Sequence, residues 1–146
     1  MKIEIPERKK FVFETRIPIR WADMDPLGHV NNAVYFRYME IARIDWFQSI
    51  GVRENSEIEG PVIVNAFCSF YQQFQYPEEV LLKMYVSDAR RATFETWVEM
   101  ESSTEPGVIR AAGGATVIWV SRSQQKSTAL PDRLRALIEQ DDKVGS

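Results

Sequence analysis

The sequence predicts an α+β fold in which five antiparallel strands pack on one long helix. Three observations carry that prediction. One run, Ala33 to Ile50, keeps helical spacing over a long stretch. Five other runs have the alternation or the apolar content of strands, one before the helix and four after it. The links between the later strands are short and turn-rich, which joins antiparallel neighbours. A helix set apart from such a sheet is the α+β arrangement.

The first strand is read from Phe11 to Trp21. Phe11, Phe13, Thr15, Ile17, Ile19 and Trp21 fall on one face, and Glu14, Arg16 and Arg20 on the other. Pro18 has no N–H for a ladder, so this strand belongs at a sheet edge or carries a bulge. Ala22 to Asn32 then gathers Asp, Pro, Gly and Asn, the formers of turns and caps. Either Asn31 or Asn32 suits the N-cap of the helix that follows. Tyr35, Met39, Ala42, Trp46 and Ile50 make its apolar stripe, and Gly51 stops it. Phe36, Ile44 and Phe47 lie outside that stripe, so the helix expects cover on more than one side.

The run from Val62 to Phe74 is almost continuously apolar, as in a strand covered on both faces. Val80 to Ser87 and Ala92 to Glu101 alternate. Val108 to Val120 has a centre of very small residues, Ala111-Ala112-Gly113-Gly114-Ala115. Glycine weakens a strand unless something approaches its backbone closely, and a bulky helix would be that neighbour. Turns are expected at Tyr76-Pro77-Glu78-Glu79, Asp88-Ala89-Arg90-Arg91 and Glu105-Pro106-Gly107. A short helix starts near Pro131-Asp132 and buries Leu134, Leu137 and Ile138, and Asp141 to Ser146 is expected to fray.

The totals are those of one ordinary domain over 1–146: 146 residues, 45% hydrophobic and 27% charged. A net charge of -3 offers no footprint for nucleic acid. No run reaches the roughly 20 apolar residues of a membrane span. Met1-Lys2-Ile3-Glu4-Ile5-Pro6 is too charged for a secretory leader, and a lone cysteine suits a reducing compartment. The expectation is a soluble, cytoplasmic chain. Exposed edge strands are covered when two copies pair edge to edge, so a homodimer is expected.

Most familiar catalytic equipment is missing. There is one histidine and no Gly-x-Ser-x-Gly elbow, and Gly113-Gly114 is too short for a phosphate loop. Cys68 sits in an apolar run with no histidine partner and reads as a small buried hydrophobe. Asp23, Asp25 and His29 form the one cluster of metal-ligand types, without the oxygen-rich loop of a calcium site or the thiols of a zinc site. No metal and no cofactor are expected. What remains is the strand-to-helix loop. Unpaired N–H groups at a helix start can hold an oxygen that becomes negative in acyl transfer. A carboxylate such as Asp25 across from them could activate water or attack the carbonyl. On spacing alone, however, Asp-x-Asp-Pro-x-Gly is more often a turn with caps, and the same holds for His29 and Asn32.

Arg20 to Phe36, RWADMDPLGHVNNAVYF, resembles the signature segment of hotdog-fold enzymes of the 4-hydroxybenzoyl-CoA thioesterase type. The likeness extends through Glu40-Ile41-Ala42-Arg43 and the order of strands, from about Phe11 to Val120. It implies a hotdog, a five-stranded sheet wrapped around the long helix, and hydrolysis of an acyl-CoA or acyl-carrier-protein thioester. It further implies that the catalytic aspartate is Asp25, not Asp23, and that the amide polarising the carbonyl falls on Asn32. Gly28 would keep the loop near the substrate and Tyr35 would lie by the acyl pocket. His29 matches the members with histidine there. Arg90-Arg91, otherwise a solvated turn, resembles the basic turn that contacts the nucleotide of coenzyme A. Tyr35, Phe36, Tyr38, Met39, Phe67 and Phe70 are the candidates to enclose the acyl chain, though each alone reads as core. Dimers of such chains could pair again into a dimer of dimers.

Two rival readings stand beside this one. Hotdog hydratases of enoyl thioesters resemble it, but they use an Asp-x-Asn-Pro-x-His loop. Here aspartate replaces the asparagine and Gly28 is inserted. A non-catalytic acyl-CoA-binding domain is the other, and the intact Asp25 loop argues against it.

Overall fold

The computed structural model describes residues 4–53 and 56–140. The frayed end expected at Asp141 to Ser146 lies outside the described residues. The elements are β1 (Lys10–Pro18), a 3-10 turn (Trp21–Asp23), α1 (Asn32–Ser49), β2 (Glu59–Phe70), β3 (Glu79–Ser87), β4 (Thr93–Ser102), β5 (Glu105–Ser121), β6 (Lys126–Ser127) and α2 (Asp132–Glu139). The five long strands pair antiparallel in the order β1-β3-β4-β5-β2, and two-residue β6 adds to β5. With α1 packed on one face, this is the expected hotdog arrangement.

Alternation decides which side chains meet the helix. Val80, Leu82, Met84 and Val86 of β3 are buried, as are Phe94, Val98 and Met100 of β4. They face Tyr35, Tyr38, Met39, Ala42, Trp46 and Phe47 of α1, and α2 adds Leu134 and Ile138. Asn31 is the N-cap, its Oδ1 accepting from the Ala33 N–H at 2.9 Å, so Asn32 becomes the first helical residue.

The small-residue centre of β5 serves both faces of the sheet. A Cβ at Gly113 would come within 2.9 Å of Met39 Sδ, so the helix does approach there. A Cβ at Gly114 would instead meet Trp97 and Phe67, whose rings pack edge to face on the side away from α1. Phe67 therefore cannot enclose an acyl chain against the helix of its own chain.

Four sequence expectations need correction, the first being that Phe11 and Phe13 share a face: a bulge between them pairs Phe11 with Tyr85 and Phe13 with Met84, on opposite faces of β3. The first strand ends at Pro18, and the backbone turns at Trp21–Asp23, leaving Trp21 76% exposed instead of on the buried face. The turn expected at Glu105-Pro106-Gly107 occurs earlier, at Ser103-Thr104, because a bulge takes up Pro106 and Gly107 within β5. Gly107 adopts φ +88° there, and its N–H donates to Glu101 Oε1 at 2.6 Å. Finally, β2 is not covered on both faces. It forms the second edge of the sheet, with Val62, Ile63 and Val64 exposed. Pro18 sits where its missing N–H costs nothing, near the end of edge strand β1.

Candidate active site

The loop between β1 and α1 is fixed at several points before any chemistry is considered. The Ile19 N–H donates to Glu78 O and the Val30 N–H to Phe74 O, each at 3.0 Å. Met24 and Val30 form an isolated antiparallel bridge that closes the loop on itself. Inside the loop the Asp25 N–H donates to His29 O at 2.8 Å, and the Gly28 N–H to Asp25 O at 3.0 Å. Gly28 takes φ +82°, a conformation open to glycine, while a Cβ there would touch nothing within 4 Å. Within the chain, backbone conformation, not close approach, demands this glycine.

The two aspartates of the loop have different surroundings. Asp23 is committed to structure: its Oδ2 accepts from the Tyr38 hydroxyl at 2.8 Å and from the Arg20 N–H at 2.9 Å. Its carbonyl accepts from the Asn31 N–H at 2.9 Å. Asp25 uses one carboxylate oxygen, Oδ1, which accepts from Leu27 N–H at 2.9 Å and His29 N–H at 3.3 Å. Among the described residues its Oδ2 has no partner, and neither has the N–H of Asn32. Asp25 and His29 are half-buried and Gly28 is exposed.

Other sequence candidates fall into place around this loop or away from it. Tyr35 is 1% exposed, with its ring 4.8 Å from Phe70 and 5.8 Å from Phe74, and burial pushes its phenol pKa up. Phe36 and Phe70 are exposed, whereas Tyr38 and Met39 are core. Arg90 and Arg91 lie in the β3–β4 turn, exposed. Arg90 Nη1 stands 3.5 Å from Glu95 Oε2, and Arg91 Nη2 donates to Ser127 Oγ at 2.9 Å. That turn is at the far end of the sheet. Pro18, which leads into the Asp25 loop, pairs with Glu79, and the turn follows Ser87, roughly 26 Å along β3 at the ordinary strand rise. One chain does not bring Arg90 and Arg91 to Asp25.

Burial pushes the Cys68 thiol up to about 12, so it stays protonated at neutral pH and is no nucleophile. Among the described residues no group of three or more His, Cys, Asp or Glu is arranged to hold a metal. No described helix is long and apolar enough to cross a membrane. Three cavities of about 370, 440 and 360 Å³ are lined by other residues, none of them Asp25. Sequence reasoning missed the Tyr38–Asp23 contact and the Arg110–Glu78 ion pair beneath residues 71–79. The visible signal for the second was an arginine bordering the small-residue run of β5.

Residues 19–138 match the thioesterase-like superfamily. The PA2801 protein of Pseudomonas aeruginosa is 30% identical, covering 88% of this chain and 98% of its own, with a TM-score of 0.84. A thioesterase from Thermus thermophilus, solved with coenzyme A and Zn, is 27% identical over 88% of this chain and 98% of its own, with a TM-score of 0.76. The chloroplastic acyl-acyl carrier protein thioesterase ATL3 of Arabidopsis thaliana is 25% identical over 140 residues, 90% of this chain and 72% of its own.

Proposed function

The chain belongs to the thioesterase-like superfamily, and we propose on that footing that it hydrolyses acyl-CoA thioesters to a carboxylic acid and free CoA. The proposed subtype is that of 4-hydroxybenzoyl-CoA thioesterases, acting in the cytoplasm as one domain over 1–146. One observation carries the reading. Asp25 is held through a single carboxylate oxygen, and among the described residues the other has no partner, on the loop that ends at an Asn32 N–H likewise without one. A base or nucleophile and an oxyanion donor are thereby supplied by one short segment.

In the proposed reaction the Asn32 N–H binds the thioester carbonyl oxygen as it becomes negative. Asp25 takes a proton from water, whose oxygen bonds to the carbonyl carbon. Collapse of that intermediate breaks the C–S bond, and the CoA thiolate leaves and is protonated. Direct attack by Asp25, through an acyl-enzyme anhydride, is the other route to the same products. Thiolate is a good leaving group, so a strong acid is not required, in keeping with a chain that holds one histidine. His29 is proposed to assist from the loop, Gly28 to shape it, and Tyr35 to back the acyl site.

A homodimer, or a dimer of dimers, completes the proposal. The unpaired edge of β2 and its exposed Val62, Ile63 and Val64 are suited to pair antiparallel with a second copy. A two-fold axis across that edge reverses the partner's sheet, which would carry the partner's Arg90 and Arg91 toward this chain's loop. There they would contact the phosphates of coenzyme A.

The test is thiol release from a panel of acyl-CoA and acyl-carrier-protein thioesters, the latter prompted by the Arabidopsis relative. The expected result is release by the wild type and almost none by folded Asp25→Ala. Near-normal kcat in folded Asp25→Ala, or hydration of crotonyl-CoA without CoA release, would overturn the reading. Transfer of oxygen-18 into the Asp25 carboxylate in a single turnover separates attack by the carboxylate from attack by water.

A further inference from the structure

Below the Asp25 loop lies a charged network that the proposed reaction does not use. Arg110 Nη1 donates to Glu78 Oε1 and to Gln73 O, both at 3.0 Å, and its guanidinium carbon lies 5.5 Å from the centre of the Phe74 ring. The Arg110 carbonyl accepts from the Tyr71 N–H at 2.8 Å and the Gln72 N–H at 3.0 Å. Glu78 Oε1 also accepts from Ser102 Oγ and Thr104 Oγ1 at 2.8 Å, and its Oε2 from the Gln75 N–H at 2.7 Å. Residues 71–78, the link from β2 to β3, are thus stapled from one arginine and one glutamate.

That same link holds both ends of the Asp25 loop. Ile19, where the chain leaves β1, donates to Glu78 O, and Val30, where it enters the helix, donates to Phe74 O. Val30 directly follows His29, whose N–H fixes Asp25 Oδ1.

The ion pair is a costly way to obtain stability alone. Its side chains are only 12% and 14% exposed, and the Arg110 Nε is buried with no partner among the described residues. Desolvation of such a pair offsets most of its attraction, and apolar replacements often do as well. What the network provides is a fixed position for a particular backbone segment.

We propose that Arg110 and Glu78 are positioning residues for the Asp25 carboxylate, acting through the Phe74 and Glu78 carbonyls that hold Val30 and Ile19. The catalytic part of this inference rests on the reading of Asp25 given above; the positional part does not.

The experiment compares Arg110→Gln, Arg110→Lys and Glu78→Gln with the wild type by amide hydrogen exchange and steady-state kinetics. Exchange at the Ile19 and Val30 amides should quicken at least about tenfold while the β3–β4 ladder keeps its protection. With the most active thioester, kcat should fall on the order of 10- to 100-fold with KM changed little, as for a misplaced catalytic group. Arg110→Lys should recover part of kcat, because it keeps the charge beside Glu78 but loses the reach to Gln73 O. If Arg110→Gln does not fold, Arg110→Lys and Glu78→Gln carry the comparison. Unchanged exchange at Ile19 and Val30 overturns the proposal. So does quickening spread equally over β3–β4, which marks general destabilisation, or unaltered kcat with both amides exposed. Activity retained by Asp25→Ala sinks the catalytic reading instead, and leaves the exchange result to stand by itself.

Discussion

The hydroxyl of Tyr38, in the second turn of α1, donates to Asp23 Oδ2 at 2.8 Å across 15 residues of sequence. This contact ties the loop to the helix face beneath it. Burial, then the Asp23 hydrogen bond, raise the phenol pKa, so the hydroxyl stays a donor throughout the physiological range. Tyr38→Phe removes the donor and leaves a carboxylate oxygen short of one bond. The expected cost is about 1.5–3 kcal/mol of unfolding free energy, the usual worth of a bond to a charged group, measured by urea denaturation. A loss below about 0.5 kcal/mol, within the ordinary range of surface substitutions, would mean that the loop is held without this contact.

Asp25→Asn separates chemistry from scaffolding. Asparagine keeps an oxygen that can accept from the Leu27 and His29 N–H groups, so the loop should survive. If Asp25 is the proposed base, its loss should lower kcat by about 10²–10⁴, the range for general base catalysis. Thermal melting of the same sample is expected to match the wild type. A large fall in melting temperature would assign Asp25 to structure instead.

The contrast between these aspartates marks where sequence reasoning stops. Periodicity was enough for α1, for the alternating strands β3 and β4, and for α2 after Pro131. Each of those signals is local, since it depends on residues two to four apart. The exposure of Trp21 and the displaced turn at Ser103-Thr104 were not legible, because a bulge or a 3-10 turn changes register without changing composition. Nor were the Tyr38–Asp23 and Arg110–Glu78 contacts, 15 and 32 residues apart, visible before the strands and helix were placed. The candidate site itself was found by its motif, Asp25-Pro26-Leu27-Gly28-His29-Val30-Asn31-Asn32. Spacing alone would have left it a turn.

The paired glycines of β5 make a prediction about packing. A Cβ at Gly113 would sit 2.9 Å from Met39 Sδ and 3.1 Å from Cys68 Cα, with the Phe67 carbonyl nearer still. One at Gly114 would sit 2.7 Å from Thr96 O and 2.8 Å from Trp97 Cε3. Backbone atoms cannot move aside as a flexible side chain does. Gly113→Ala and Gly114→Ala should each destabilise by about 1–3 kcal/mol, through overpacking on opposite faces of the sheet. Urea denaturation checks this, and a neutral result at Gly114 would show that the Thr96 carbonyl, as well as the Trp97 and Phe67 rings, can give way at little cost.

Acid should weaken the fold through two glutamates. Glu101 is held below the ordinary range first by the Gly107 N–H, against some opposition from burial, and also by Lys83 at 3.1 Å. For Glu78, burial acts upward but is outweighed by the Gln75 amide, Ser102, Thr104 and Arg110, and the net direction is again down. A carboxylate with a depressed folded pKa binds protons more readily when unfolded. Its contribution is therefore complete above the unfolded value of about 4.3 and is lost as pH falls through the folded one. Unfolding free energy should hold steady from about pH 7 to pH 5 and decline below about pH 4.3. Glu101→Gln should be less stable than wild type at neutral pH and converge with it in acid. Curves that stay parallel down to about pH 3 would show that Glu101 titrates alike in both states.

The exposed edge of β2 bears on whether one chain can work alone. Val64 is 55% exposed in a run of apolar residues on the strand that ends the sheet. Such an edge invites pairing, and a lysine there opposes it by burying charge at the seam. Val64→Lys should elute as a monomer at micromolar concentration, and the wild type, on the proposed pairing, as a dimer. Because Arg90 and Arg91 stand at the far end of the sheet from Asp25 in their own chain, that monomer should also lose coenzyme A affinity. Raised KM for acyl-CoA with a correctly folded monomer, seen by circular dichroism and kinetics together, is the expected outcome. A monomeric Val64→Lys protein with wild-type kcat/KM would mean that a single chain carries a complete site, and that the phosphates are bound by residues other than the distant arginines.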